Sequence, residues 1–333
     1  MRNLFAILTL VVALVGCDKS HDENGGLNVS IDGAVTTTIN VSVDETSSRA
    51  VAGEDSAVGV FENGILNSDD VTMRYIMQIF IDGEQATKYI EYSNDNSVAF
   101  NPELVPNRDY KFVVWADVVT KSSGATEFSN VDNHYNTGDL TNITLKGDWN
   151  AMDESRDAFT GFAEEDNFAC DHNVNIKLTR PFAKLRIVAT DMDKTTAIPV
   201  RGEVRYTTLS CAGFNAVTGT AIQGTSLSGT THDYTIKTYA DSSDDNYILF
   251  TDYIFALDDD TINLLMFSFY EDGVSYPIMN RVFTAEDVEV KRNHITTIKG
   301  TFMTGDELVV GNEDITVTPW GDGGEVLIPG IVQ

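Results

Sequence analysis

The sequence predicts an all-β protein made of two tandem β-sandwich domains. Short runs of alternating apolar and polar residues recur along the chain, and turns rich in Gly, Asp and Asn separate them. Long amphipathic helical patterns are scarce, and the 333 residues are enough for two domains that each bury a core. Many short strands joined by such turns are typical of packed antiparallel sheets.

The chain begins with an export signal, which we assign to residues 1–16. Arg2 precedes an apolar run over residues 4–15, and Gly16 and Cys17 follow it. A charged start, a short apolar core and a small residue before the cleavage point are typical of signal peptides. The cysteine after that small residue predicts a lipobox, in which Cys17 carries lipid and begins the mature protein. The alternative is an ordinary secretory signal with an accidental cysteine.

Lipidation at Cys17 predicts a protein that is held at a membrane by acyl chains. No later run approaches the roughly 18 uninterrupted apolar residues that a spanning helix needs. Residues 17–34 are then a polar tether. The net charge of −29, from 51 acidic and 22 basic residues, disfavours nonspecific attraction to nucleic acid. We therefore expect no nucleic-acid partner.

We assign residues 35–168 to the first sandwich. Residues 35–43 alternate in polarity and predict a half-buried strand, and residues 71–81 predict a second strand with one apolar face. Residues 110–119 are apolar on both faces, which favours a central strand. Between residues 147 and 168 the alternation disappears and acidic residues accumulate, so we place the end of the domain there.

We assign residues 169–333 to the second sandwich, which begins with another series of strands. The Asp-Gly pairs at residues 82–83 and 272–273 are typical of tight turns, and the second pair predicts a hairpin. The strands predicted in this domain cover residues 174–178, 183–189, 202–209, 233–239, 247–257, 262–270, 274–283, 294–302 and 315–320.

Two cysteines remain once Cys17 is assigned to lipid. Cys170 and Cys211 would both lie in an oxidising compartment, where a disulfide can persist. A bridge between them would add roughly 3–4 kcal/mol in the chain-entropy model. Two buried thiols are the alternative, because the sequence does not say whether these residues approach each other.

No sequence motif recommends an enzyme, a metal site or a cofactor. The five histidines are scattered, and HExxH, GxSxG and phosphate-loop signatures are absent from the sequence, as is the EF-hand spacing. We therefore predict no catalytic residue, no metal and no cofactor. Trp115 lies in a predicted strand and is expected in the core, whereas Trp149 is either core or an exposed platform for a glycan.

Several stretches together resemble the fimbrillin-like lipoproteins of Bacteroidales, which include the subunits of type V pili and uncharacterised relatives. The similar stretches are residues 180–188 (RPFAKLRIV), 290–300 (VKRNHITTIKG), 314–321 (DITVTPWG), 110–119 and 149–159. With the lipobox, the resemblance covers nearly the whole chain.

The resemblance implies two transthyretin-like, Greek-key sandwiches, transport to the outer membrane and polymerisation by strand exchange. In polymerising relatives an arginine-specific protease removes the first strand, and Arg49, followed by Ala50, occupies the matching position. Arg49 is alternatively an ordinary solvated loop residue. Residues 315–331 are either a donor strand or a fixed edge strand of the second sandwich.

These observations predict a surface-exposed, lipid-anchored pilus subunit or pilus-associated adhesin. Its expected partners are other fimbrial subunits, the outer membrane through the lipid, and a host protein or glycan. The second interpretation is a surface lipoprotein that does not polymerise and binds a glycan or host protein through its sandwich loops.

Overall fold

The computed structural model describes residues 33–43, 69–169, 172–206, 211–224, 231–237, 243, 246–258, 260–262, 265–282, 288–304 and 315–319. Nearly all regular structure in these ranges is β, which confirms the predicted all-β sandwich class. The strands are β1 (Val35–Thr36), β2 (Ile39–Val43), β3 (Val71–Ile81), β4 (Glu84–Ser93), β5 (Ser97–Phe100), β6 (Glu103–Leu104), β7 (Tyr110–Thr120), β8 (Tyr135–Asn136), β9 (Ile143–Leu145), β10 (Ala158–Glu165), β11 (Val174–Leu178), β12 (Phe182–Ala189), β13 (Arg201–Tyr206), β14 (Cys211–Asn215), β15 (Thr220–Gln223), β16 (Thr231–Thr235), β17 (Tyr247–Phe255), β18 (Asp260–Ile262), β19 (Leu265–Tyr270), β20 (Met279–Val282), β21 (Val288–Val290), β22 (His294–Gly300) and β23 (Ile315–Pro319).

The first sandwich packs the sheet β10-β7-β3-β4 against the sheet β11-β2-β5. Their facing side chains form one apolar core that includes Ile39, Tyr75 and Phe112. The predicted central position of residues 110–119 is confirmed, since β7 pairs with β10 on one side and with β3 on the other. Asp82 and Gly83 both have positive φ and join β3 to β4 in a tight hairpin.

Strand β3 is buried on both faces, although its alternation predicted only one buried face. Met73, Tyr75 and Met77 face the core of the first sandwich. Arg74 and Ile76 point to the opposite side and are also fully buried. The sheet β15-β14-β9-β8 contributes to a further apolar cluster on that side, so solvent does not reach it. Polar residues of β3 are therefore interior residues.

Part of the segment at residues 147–168, where the sequence shows no alternation, is a regular strand. Strand β10 occupies residues 158–165 and pairs along its whole length with residues 110–117 of β7. The alternation is weak in the sequence because the amino-terminal half of β10 is buried on both faces while the other half is largely exposed. Gly161 lies where β10 approaches β11, and a Cβ there would be 2.4 Å from the Lys177 carbonyl oxygen.

The second sandwich packs the sheet β17-β12-β22-β23 against the sheet β16-β13-β19-β20. Its core includes Leu185, Phe250 and Phe267. Strand β12 is central because it pairs antiparallel with β17 and parallel with β22. The predicted hairpin is confirmed by the antiparallel pairing of β19 with β20.

A third apolar cluster joins the two sandwiches. Trp115 of β7, Phe182 of β12 and Phe214 of β14 all belong to it. Strand β11 (Val174–Leu178), which follows the expected domain end at residue 168, pairs with β2 of the first sandwich. We propose that the boundary between the domains follows β11.

Candidate functional site

The candidate site is the place that β2 occupies in its sheet. Strand β2 lies between β11 and β5, parallel to the first and antiparallel to the second. Ile39 is paired with Val174 of β11 and with Phe100 of β5. We call the space between β11 and β5, now filled by β2, the β2 groove.

Main-chain hydrogen bonds continue beyond both ends of β2. The Val174 N–H donates to the Thr38 carbonyl oxygen at 3.1 Å, and the Val43 N–H donates to the Asn96 carbonyl oxygen at 2.8 Å. The Thr37 N–H donates to the Pro102 carbonyl oxygen at 3.0 Å. The backbone around β2 is thus paired with neighbours on both sides.

The inward face of β2 is apolar and almost completely buried. Ile39, Val41 and Val43 are 0%, 1% and 4% exposed and belong to the core of the first sandwich. Burying one aliphatic side chain of this size contributes about 1.5–3 kcal/mol, so these three contribute about 5–9 kcal/mol. Loss of β2 would open an apolar groove flanked by unpaired backbone groups, which another extended segment could fill.

The outward face of β2 is polar and also contacts both neighbouring segments. Asn40 Nδ2 donates to Asn175 Oδ1 of β11 at 3.0 Å. On the other side, Thr38 Oγ1 donates to Asn101 Oδ1, just beyond β5, at 3.0 Å. The strand is therefore held by an apolar face and by two side-chain hydrogen bonds on its opposite face.

A second notable feature is a set of buried charged residues between the short turn that precedes β10 and strands of the second sandwich. We call this set the junction cluster. Its six members, all nearly inaccessible to solvent, are Glu154, Arg156, Asp157, Arg180, Lys184 and Asp252.

Arg156 and Asp252 form one ion pair of this cluster, and each also contacts other buried groups. Arg156 donates to Asp252 Oδ1 and, at 3.0 Å, to the Tyr253 carbonyl oxygen. Asp252 Oδ2 accepts from Trp149 Nε1 at 2.9 Å and from the Tyr206 hydroxyl at 2.6 Å. Burial works to lower the pKa of Arg156, but the Asp252 carboxylate and neighbouring tyrosines outweigh it and raise that pKa, so the guanidinium stays charged.

Two further ion pairs complete the junction cluster. Arg180 Nη2 lies 2.6 Å from Asp157 Oδ2, and the guanidinium also stacks on the Phe159 ring. Lys184 Nζ lies 2.8 Å from Glu154 Oε2. Residues 154–157 therefore bind β12, the segment before it and β17 through three oppositely charged pairs.

The junction cluster gives a structural reason for two stretches that carry the sequence resemblance. Residues 149–159 and 180–188 contribute opposite partners to the same buried pairs. This role was not predicted from the sequence. The available signal was Lys184, a charged residue within the otherwise apolar first half of a strand. Asp252 carried a similar signal, since it interrupts the apolar run of β17.

A smaller buried cluster lies on the face of β3 that points away from the core of the first sandwich. Arg74 donates to Asp117 at 2.9 and 2.7 Å and to Asp132 at 3.0 Å. Partial burial works to raise the pKa of Asp132, but hydrogen bonds from Thr137 and Arg74 outweigh it and hold that pKa below its ordinary value. Like the junction cluster, this group fits a structural role.

Several residues singled out in the sequence fall outside the described part of the chain. Cys17, Arg49, Ala50 and Cys170 are among them, so lipidation, cleavage and a disulfide to Cys170 stay predictions.

Cys211 lies in β14 and is buried in the apolar cluster that joins the sandwiches. Trp115 is fully buried, as predicted. Trp149 packs against Phe250 and His232 and hydrogen bonds with Asp252, which favours its core interpretation over a glycan platform.

Two features are absent from the ranges that the structure describes. Across those ranges no group of three or more His, Cys, Asp or Glu side chains is placed to hold a metal ion. Within the same part of the chain, no helix is both long and apolar enough to cross a membrane.

The fold and the β2 groove define a class: an all-β protein of packed sandwiches in which β2, a strand near the start of the first sandwich, lies inside a sheet. The chain belongs to a family of unknown function, DUF6562, whose model matches residues 26–324. No curated protein matches the chain.

Solved structures from Bacteroidales are similar to the chain. A proposed cell adhesion protein from Bacteroides ovatus has a TM-score of 0.51 at 11% identity, covering 86% of this chain and 98% of that one. A fimbrial assembly protein from Parabacteroides distasonis has a TM-score of 0.44 at 13% identity, with coverage of 89% and 100%. A proposed cell adhesion protein from Bacteroides eggerthii has a TM-score of 0.44 at 15% identity, with coverage of 86% and 96%. The first similarity shows a shared fold, which agrees with the resemblance recognised in the sequence.

Proposed function

We propose that this protein is a surface-anchored pilus subunit or pilus-like adhesin that assembles with other fimbrial subunits by strand exchange. The observation that carries the proposal is the position of β2 (Ile39–Val43), a strand near the start of the chain that fills a groove between β11 and β5. A strand from another subunit would occupy that groove once β2 has left.

Cleavage after Arg49 would make this exchange physically accessible. The cut would lie between β2 and β3, so β1 and β2 would keep only non-covalent contacts with the rest of the protein. The buried apolar face of β2 holds it strongly, and a replacement must restore both that face and the backbone pairing. A subunit strand with the same alternation meets both requirements.

The names of the structural relatives support the proposed setting. They are described as cell adhesion and fimbrial assembly proteins. In this proposal Cys17 carries the lipid that anchors the protein in the outer membrane, with the sandwiches at the cell surface. The partners are then other fimbrial subunits and, for an adhesin, a host protein or glycan.

Mass spectrometry of envelope-derived protein tests the proposal. Surface-sheared filaments and membranes are separated, and the amino terminus of the protein is determined in each fraction. We expect sheared, high-mass material to begin at Ala50 and an Arg49→Ala variant to remain monomeric. Arg108→Ala is the matched control, since it removes a solvent-exposed arginine that lies outside the β2 groove.

Three outcomes separate the alternatives. Filaments that contain the Ala50 terminus support strand exchange after proteolysis. Filaments that retain the intact residues 35–43 contradict it. Monomers that begin at lipidated Cys17 and stay with the membrane favour the second interpretation, a lipoprotein that binds a glycan or host protein without polymerising.

A further inference from the structure

We propose that Asn175 and Asn101 fix the register of any strand in the β2 groove. The incoming strand is then a segment of another subunit that repeats the pattern of β2, with small aliphatic residues inward and Thr and Asn outward at the positions of Thr38 and Asn40. This inference rests on the strand-exchange function proposed above and adds the chemistry by which the partner is recognised.

The apolar face alone cannot define the register. Ile39, Val41 and Val43 repeat every second residue, and a slip of one residue would turn polar side chains into the core. A slip of two residues keeps aliphatic or β-branched side chains inward at most positions. The core therefore excludes odd slips strongly and even slips only weakly.

The polar face removes this remaining ambiguity. Asn40 is opposite Asn175 in the parallel pairing of β2 with β11, and their amides are hydrogen bonded at 3.0 Å. A slip of two residues would place Thr38 or Ser42 opposite Asn175 instead. Each of these side chains is shorter than that of asparagine, so neither reproduces the amide-to-amide hydrogen bond.

A second hydrogen bond holds the resident strand on the β5 side of the groove. Thr38 donates to Asn101 at 3.0 Å, and Asn101 directly follows the last residue of β5. One asparagine on each side of the groove thus accepts a hydrogen bond from the resident strand. Because both acceptors lie on the solvent-facing side, they can contact an incoming strand before its apolar side chains are buried.

The test uses the full-length chain, folded intact and then cut. A recognition sequence for a specific protease is inserted after Arg49, and the cut protein is incubated with a fluorescent peptide of residues 33–43. Fluorescence anisotropy measures how tightly the peptide replaces the resident strand. The Asn40→Ala peptide removes one proposed contact, and the Ser42→Ala peptide is the matched control on the same face.

A double-mutant cycle identifies the contact. Loss of one cross-strand polar pair of this kind should weaken binding by about 1.5- to 5-fold. We expect Asn40→Ala in the peptide and Asn175→Ala in the protein to weaken binding to a similar extent. Combining them should add little, because both remove the same hydrogen bond, and the Ser42→Ala peptide should bind like the original.

Disulfide trapping shows directly which register the bound peptide adopts. Ser42 is opposite Lys177, so a peptide with Ser42→Cys should cross-link to a Lys177→Cys protein whose other cysteines are serine. The additional Asn40→Ala change should lower the yield by spreading the peptide over several registers. Equal cross-linking yields with and without Asn40→Ala would overturn the inference. Losses of affinity that multiply in the double-mutant cycle would also overturn it, because they would show that Asn40 and Asn175 act independently. Neither result would contradict strand exchange itself. Failure of the unmodified peptide to enter the groove overturns both proposals.

Discussion

Replacing Asp252 by asparagine should destabilise the protein severely, because it leaves Arg156 charged in a buried place. Asp252 is 1% exposed and Arg156 is 3% exposed. Removing one partner of a buried pair costs about 3–5 kcal/mol, since the remaining charge loses its compensation away from water. The amide would also present a donor to Trp149 or Tyr206, both of which already donate to this carboxylate.

Thermal unfolding followed by circular dichroism measures this effect on the full chain. In a cooperative unit of 150–250 residues, each kcal/mol lowers Tm by about 2–4 °C, so Asp252→Asn should lower it by about 6–20 °C. Asp233→Asn is the matched control. It breaks an arginine pair with Arg201 across neighbouring strands, but Asp233 is 68% exposed and the expected cost is below about 1 kcal/mol.

A double replacement separates a charge effect from general damage to the site. Arg156→Met with Asp252→Asn removes both charges and keeps an amide oxygen as an acceptor, so stability should recover substantially relative to Asp252→Asn alone. A decrease in Tm for Asp252→Asn no larger than that of Asp233→Asn would refute the reasoning. Additive losses in the double variant would also refute it, because they would show that the two charges do not compensate each other.

Further predictions concern a close contact and a carboxylate. Gly202→Ala should cost about 1–3 kcal/mol in urea unfolding, because its Cβ would lie 2.2 Å from the Tyr234 ring; Gly138→Ala, with open space at that position, should cost much less. Asp132 has a lowered pKa in the folded state, so its contribution to stability is full above about pH 4 and is lost on further acidification. The stability difference between the protein and Asp132→Asn should therefore shrink below pH 4, and a constant difference would contradict the assignment.

The buried ion pairs of the junction cluster should not be disturbed by the proposed assembly. The junction cluster links the turn at residues 154–157 to the second sandwich. Strands β12 and β17, which carry Lys184 and Asp252 of this cluster, do not pair with β2. Exchange of β2 would leave these ion pairs in place. In the proposed assembly, β2 would be replaced while the junction between the sandwiches stays in place.

Local sequence patterns were sufficient to identify many strands and the class of fold. Alternation located β2 and β11, and a run that is apolar on both faces located the central strand β7. Asp-Gly marked two hairpins, because both residues of that pair tolerate the backbone angles of a tight turn. Strand β10 was not predicted, because its burial changes along its length and its sequence therefore has no uniform alternation of apolar and polar residues.

The candidate site was predictable only in part. Residues 35–43 were recognised as a strand, but their position inside the sheet depends on β11, which follows more than 100 residues later. Nothing in the local pattern of either segment indicates a parallel pairing between them. The asparagine contact at Asn40 and Asn175 likewise exists only because that pairing brings the two positions together.

Local sequence was enough to predict the all-β class, the tight turns and an exported lipoprotein, because each of these features depends on residues close together in the chain. Tertiary structure alone decided which strands are neighbours, that β3 is buried on both faces, and that the charges of residues 154–157 meet those of Arg180, Lys184 and Asp252. The physical reason is that a charge inside a strand is tolerated only where the fold delivers an opposite charge to it, and that partner comes from a distant part of the chain.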